Sequence, residues 1–164
     1  MTILPAQPSI LPPLPAPGTT RIVHAADMHL RPSAHGSTAR GEDFFKAALS
    51  VLDIASQRGA KAVINAGDFI DAPELLSGTF GQVRAFHEHA KDLGLPVYTI
   101  MGNHDMCQPS WASHIADGDT GIVCADNREI TIGAIRTWHL PFMSPEDLKC
   151  TLAQRLGGAE VATP

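Results

Sequence analysis

A chain of 164 residues has the length of one domain, and 44% hydrophobic content is enough to build its core. The formal net charge of −5 argues against a broadly basic nucleic-acid surface, although a local cation-loaded site could still take a polyanionic substrate. No apolar run approaches the roughly 20 residues that cross a bilayer, so no membrane partner is expected.

Residues 2–18 contain six prolines and no charge, which excludes the basic start of a secretory signal and disfavours regular structure. Residues 1–18 therefore read as a flexible, polyproline-like arm, and residues 19–164 as the domain. Arg21 to Ala26 is the first apolar, β-branched run, with His24 placed to pack or hydrogen-bond inside it, and Asp27-Met28-His29 follows. From Glu42 to Arg58, Phe44, Phe45, Ala48, Leu49, Val51, Leu52 and Ala55 recur near helical period, and Gly59 supplies a stop. A second strand, Lys61 to Ala66, leads into Gly67-Asp68-Phe69-Ile70-Asp71. The next helix carries Phe80, Val83, Phe86, Ala90 and Leu93 on one face, with Thr79 as its cap and Gly94 as its terminator. His35, His87 and His89 follow no ligand spacing and read as loop or exposed-helix residues. The third strand, Pro96 to Met101, ends at Gly102-Asn103-His104-Asp105.

Beyond it, Ile122 to Ala125 and Glu129 to Trp138 read as strands joined by a turn at Asp126-Asn127. Ser144-Pro145-Glu146-Asp147 starts a last helix with serine as cap, ending near Gly157-Gly158. His114 and His139 read as solvated or hydrogen-bonded histidines. Cys107, Cys124 and Cys150 are odd in number and lack paired spacing, so free thiols in a reducing, cytoplasmic compartment are expected.

Asp27 and Asp68 are 41 positions apart, and Asp68 and Asn103 are 35 apart. Each interval accommodates a βαβ crossover, which takes roughly 30 residues or more. The pattern predicts an α/β fold in which three polar clusters sit where parallel strands end, the crevice that binds ligands in open α/β sheets. Carboxylate, imidazole and amide donors suit Mn²⁺, Zn²⁺ or Fe²⁺, and the lack of clustered thiols argues against a cysteine-held structural zinc. Asp68, on the central strand, could bridge two ions about 3.5–4 Å apart, with Asp27 and His29 serving one and Asn103 the other. Such a pair lowers the pKa of a bound water and neutralises phosphate oxygens, so phosphoester hydrolysis is its natural use.

The three clusters, in this order, resemble the D-x-H, G-D-x-x-D and G-N-H-D motifs of the calcineurin-like metallophosphoesterase superfamily, over about residues 21–145. The resemblance implies a four-layer α/β/β/α sandwich, here partial. It also implies two divalent ions, Mn²⁺ first and Fe²⁺ or Zn²⁺ as alternatives, held by Asp27, His29, Asp68 and Asn103. His104 would contact the phosphate as the catalytic residue, with Asp71 and Asp105 orienting the ligands or His104. Asp27-Met28-His29-Leu30, Phe69 within the second motif and Leu95-Pro96-Val97 before the third look most similar to the DNA-repair exonuclease branch, the SbcCD nuclease subunit type. For that branch the resemblance implies a phosphodiester substrate such as DNA and a homodimer or an ATPase partner. The pattern also departs from the family. A later-strand histidine and a G-H-x-H motif should complete both metals, and neither follows here, so the chain reads as the N-terminal part of such a domain. A truncated or degenerate phosphoesterase acting as a binding or assembly module is the alternative expectation.

Overall fold

The computed structural model describes residues 16–71, 77–105 and 122–156. Most of the proline-rich arm, Cys107, His114 and Gly157-Gly158 lie outside them. Four short strands, β1 (Ile22–Ala25), β2 (Ala62–Asn65), β3 (Val97–Thr99) and β4 (Ile122–Cys124), form one parallel sheet in that spatial order. Helices α1 (Thr38–Gln57) and α2 (Ser77–Asp92) make the first two crossovers. An antiparallel hairpin, β5 (Arg128–Ile132) and β6 (Ile135–His139), and helix α3 (Pro145–Arg155) complete an α/β fold consistent with a partial metallophosphoesterase sandwich.

Alternation along the strands divides the sheet into two faces. In register, Val23, Val63 and Val97 turn to the helices, where they join Leu52, Ala55, Val83, Phe86 and Ala90 in one core. Asn65 and Thr99 lie further along that face, fully buried, with the Asn65 amide donating to the Thr99 hydroxyl at 2.8 Å. The opposite register row, His24, Ile64 and Tyr98, faces the hairpin, and the Tyr98 and His139 rings stand 6.1 Å apart. Between this face and β6 lies a cavity of about 380 Å³ lined by His24, Ile64, Ile100 and residues 137–140.

Several boundaries differ from the sequence reading, each for a local reason. Helix α1 begins at Thr38, ahead of Glu42, because Ser37 is extended and its hydroxyl accepts from the Arg40 N–H. Gly41 does not break that first turn. Its Cα lies against the Pro32 carbonyl, where any Cβ would collide. Thr79 is not a cap but a fully buried residue of the first turn of α2. His87 is likewise not exposed: it lies on the apolar face beside Phe86 and is 1% accessible. His89 is half-buried and meets Asp53 of α1 at 2.7 Å. The segment Glu129 to Trp138 is not one strand, because Gly133, at φ 59°, folds it into a hairpin. Strand β4 pairs with β3 rather than with β5. The last helix does start at Ser144, which accepts from the Asp147 N–H at 3.1 Å. Its last residue, Arg155, lies 5.6 Å over the Trp138 ring and donates to the Asn127 carbonyl, tying α3 to the hairpin. Cys150 is a free, exposed thiol.

Candidate metal centre

Because β1, β2 and β3 are parallel neighbours, the segments after Ala25, Asn65 and Thr99 emerge side by side at one edge of the sheet. The first two stay hydrogen-bonded beyond the regular strands. Ala66 donates to Ala25, Asp27 to Gly67, His29 to Asp68 and Leu30 to Phe69, at 2.8–3.1 Å. A parallel bridge between Leu30 and Ile70, both fully buried, ends the run.

Asp27, His29 and Asp68 all have left-handed backbone, with φ of 56°, 49° and 51°. That region is sparsely populated by residues with a Cβ, and such strain persists only where the surroundings impose it. Its effect here is convergence. One donor atom from each of Asp27, His29 and Asp68 lies within 4.8 Å of the other two. The His29 Nε2 and Asp27 Oδ1 stand 3.7 Å apart, too far for a hydrogen bond. Donors about 2.0–2.2 Å from a shared ion are spaced on this scale, so the residues present fit a divalent cation. Asn103 lines the same cleft as Asp27 and Asp68, a cavity of about 230 Å³.

The third motif is stapled to the second from beneath. Asp105 is fully buried, and its carboxylate accepts the Ile70 N–H at 2.9 Å and the Gly102 N–H at 2.8 Å. Burial pushes this carboxyl up from its ordinary range. Hydrogen bonds from the Ile70, Gly102 and Phe69 backbone oppose that shift, and the charge of Asp68 adds to it. Gly102 lies so close to Asp68 that a Cβ would fall on its carboxylate and backbone nitrogen. Asp68 Oδ1 in turn accepts the His104 N–H at 3.0 Å.

A second group adjoins the first. His104 Nδ1 lies 3.0 Å from Asp71 Oδ1, and His29 Nδ1 is 3.8 Å from Asp71 Oδ2. The His29 and His104 rings meet edge to face at 5.1 Å. His29, Asp71 and His104 thus form a second cluster with metal-ligand chemistry. Arg31 reaches the same Asp71 Oδ2 at 2.6 Å. A guanidinium so close already neutralises that carboxylate and repels another cation.

The structure brings Asp27, His29, Asp68, Asn103, Asp71 and His104 to one edge, with Asp105 below them. His139 stays out of this cleft, buried with Nε2 against the Thr137 hydroxyl at 2.8 Å, and burial lowers its pKa. Two contributors escape a motif reading. Arg31 shows only as a basic residue two positions after His29. Leu140, Pro141 and Phe142 line the same cleft as Asp27 and Asp68, and their one sequence signal is an apolar trio after a strand.

Comparison with known proteins agrees with this geometry. The profile of the family described as calcineurin-like phosphoesterase matches residues 20–139. The chain is similar to proteins named DNA double-strand break repair protein Mre11. Identity is 33% over 88 residues with that of Methanosarcina acetivorans, covering 54% of this chain and 14% of the relative. With that of Aeropyrum pernix it is 32% over 85 residues, covering 52% and 21%. With that of Haloferax volcanii it is 34% over 91 residues, covering 52% and 20%. The match therefore spans about a fifth or less of these relatives.

Proposed function

The chain belongs to the calcineurin-like phosphoesterase family, and from that premise we propose that it binds two divalent cations and hydrolyses phosphodiester bonds, with DNA as its substrate. The observation that carries this reading is the convergence of Asp27, His29 and Asp68 donors within 4.8 Å beside Asn103. Similarity to proteins named for DNA double-strand break repair supports DNA over other phosphodiesters.

In this reading Asp27, His29, Asp68 and Asn103 would hold the ions, with Asp27 and His29 serving one, Asn103 the other and Asp68 contributing to each. Their oxygen-rich donor set with one imidazole suits Mn²⁺ and also admits Fe²⁺ or Zn²⁺. When bound, the ions lower the pKa of water and neutralise charge on the phosphate. The protein's own part falls to His104. Asp71 accepts from its Nδ1 at 3.0 Å, which leaves Nε2 to contact the phosphate and, with the ring as imidazolium, to deliver its proton to the departing oxygen. Asp71 keeps that imidazole in one orientation and Arg31, at 2.6 Å, keeps Asp71 in place. His29, Asp71 and His104 therefore act as an orienting group rather than as a third cation site.

The test is turnover of bis(p-nitrophenyl) phosphate with Mn²⁺, alongside elemental analysis. His104→Ala should lower kcat by about 10²- to 10⁴-fold, the span of general acid catalysis, and leave metal content unchanged. Absence of turnover with Mn²⁺, Fe²⁺ and Zn²⁺, with His104→Ala indistinguishable from wild type, would refute the reading.

A second reading, a non-catalytic binding module, is favoured by one observation. Among the described residues no imidazole joins Asp68 and Asn103 on the second ion's side, and His139 is held elsewhere by Thr137. It expects one ion or none per chain, so two tightly held ions on dialysis would exclude it.

A further inference from the structure

The cleft lined by Asp27, Asp68 and Asn103 is also lined by residues of opposite chemistry, Leu140, Pro141 and Phe142. Phe142 is 61% exposed, the most accessible of the exposed large hydrophobic residues among those described. Its backbone is tied to the strand that leads into the third motif. The Phe142 N–H donates to the Met101 carbonyl at 2.8 Å, one residue before the third motif begins. Proline precedes it and restricts the backbone. Behind it, His139 anchors the end of β6 between Thr137 and Tyr98. An aromatic ring left in water in the same cleft as candidate cation ligands suits a planar apolar group attached to a phosphate that those cations would bind.

We infer that Phe142, with Leu140 and Pro141, is a stacking wall for the nucleobase next to the phosphodiester held at the Asp27, Asp68 and Asn103 side. The inference rests on the proposed phosphodiesterase reading and adds its substrate class: a nucleotide whose base is unpaired, because a base within a duplex offers no free face to the ring. Charge explains why the two groups of residues belong together. The carboxylates repel a bare phosphate and admit it only with cations present, whereas the aromatic wall is indifferent to base identity and recognises only a π-face. A plain alkyl phosphodiester would use the first group alone.

The experiment is equilibrium binding of dithymidine phosphorothioate, and separately of dimethyl phosphate, to the full chain with Mn²⁺. Wild type is compared with Phe142→Ala, Phe142→Trp and Phe142→Leu. Base stacking on one aromatic ring predicts about 5- to 150-fold weaker dinucleotide binding by Phe142→Ala. Phe142→Trp should restore it and Phe142→Leu should not, while dimethyl phosphate binding and metal content stay level in all four proteins. Equal dinucleotide binding by wild type and Phe142→Ala overturns the inference. So does full rescue by leucine, which would mark the wall as a site for any apolar group, or dimerisation that Phe142→Ala abolishes, which would give the ring to a second copy of the chain. Dinucleotide binding through Phe142 without turnover upholds this inference and refutes the hydrolase reading. Turnover with Phe142 immaterial does the reverse.

Discussion

His87 gives the fold a specific sensitivity to acid. Its ring is 1% exposed, lies nearly parallel to Phe69 of the second motif at 6.3 Å and packs against Phe86, with both nitrogens lacking a hydrogen-bond partner among the described residues. Burial pushes its pKa from the ordinary 6.5 to about 4. The folded protein therefore refuses a proton that the unfolded chain accepts, so stability is complete above pH 6.5 and declines as pH falls toward 4. The difference between the folded and unfolded states corresponds to about 3 kcal/mol once both are protonated, of which about 2 kcal/mol is lost between pH 7 and pH 5. Urea unfolding at several pH values measures this directly, with His87→Leu as the control that cannot titrate. Wild type should lose about 2 kcal/mol more than the variant between pH 7 and pH 5. Parallel loss in the two proteins would show that His87 finds a charged-state partner or access to water, and the argument from burial would fail.

Three further substitutions probe the site's support. Asp105→Ala leaves the buried Ile70 N–H and the half-buried Gly102 N–H without an acceptor, at up to about 1–3 kcal/mol each, and at about 2–4 °C per kcal/mol its Tm should fall by roughly 5–20 °C in a thermal melt. Gly102→Ala drives a methyl into the Asp68 carboxylate, so calorimetric Mn²⁺ affinity should drop by about 10-fold or more as that donor is displaced. Arg31→Ala frees Asp71 and should lower kcat by about 10- to 100-fold with KM and metal content near wild type; an unchanged kcat would show that the ion pair is only surface decoration.

The strand–helix order, the parallel sheet and the edge where the motifs meet were legible because hydrophobic period and cluster spacing record local and topological constraints directly. Asp27, Asp68 and Asn103 announced themselves by residue type after apolar runs. Other features are hidden from a linear reading because their meaning is tertiary. Gly41 looks like a helix breaker until Pro32 is seen against it. His87 looks polar and exposed until Phe69 and Phe86 are seen around it. Arg31 looks like an ordinary surface cation until Asp71 is found at 2.6 Å. The hairpin turn at Gly133 is hidden because Ile132-Gly133-Ala134-Ile135 continues the apolar run, and the left-handed φ that folds it has no signature beyond the glycine itself.

Strain and support at this site are two sides of one arrangement. Left-handed backbone costs up to roughly 1–2 kcal/mol at a residue with a Cβ and less at aspartate, so Asp27, His29 and Asp68 draw on the about 5–15 kcal/mol by which a domain is stable. The hydrogen bonds from Asp27 to Gly67 and from His29 to Asp68 hold the strained geometry, and Asp105 locks the third segment against it. Gly67 and Gly102 let the backbones approach closely enough for this to happen. It follows that glycines and a buried carboxylate which never touch a phosphate are as tightly bound to the chemistry as the donors, since relaxing any of them lets the donors separate.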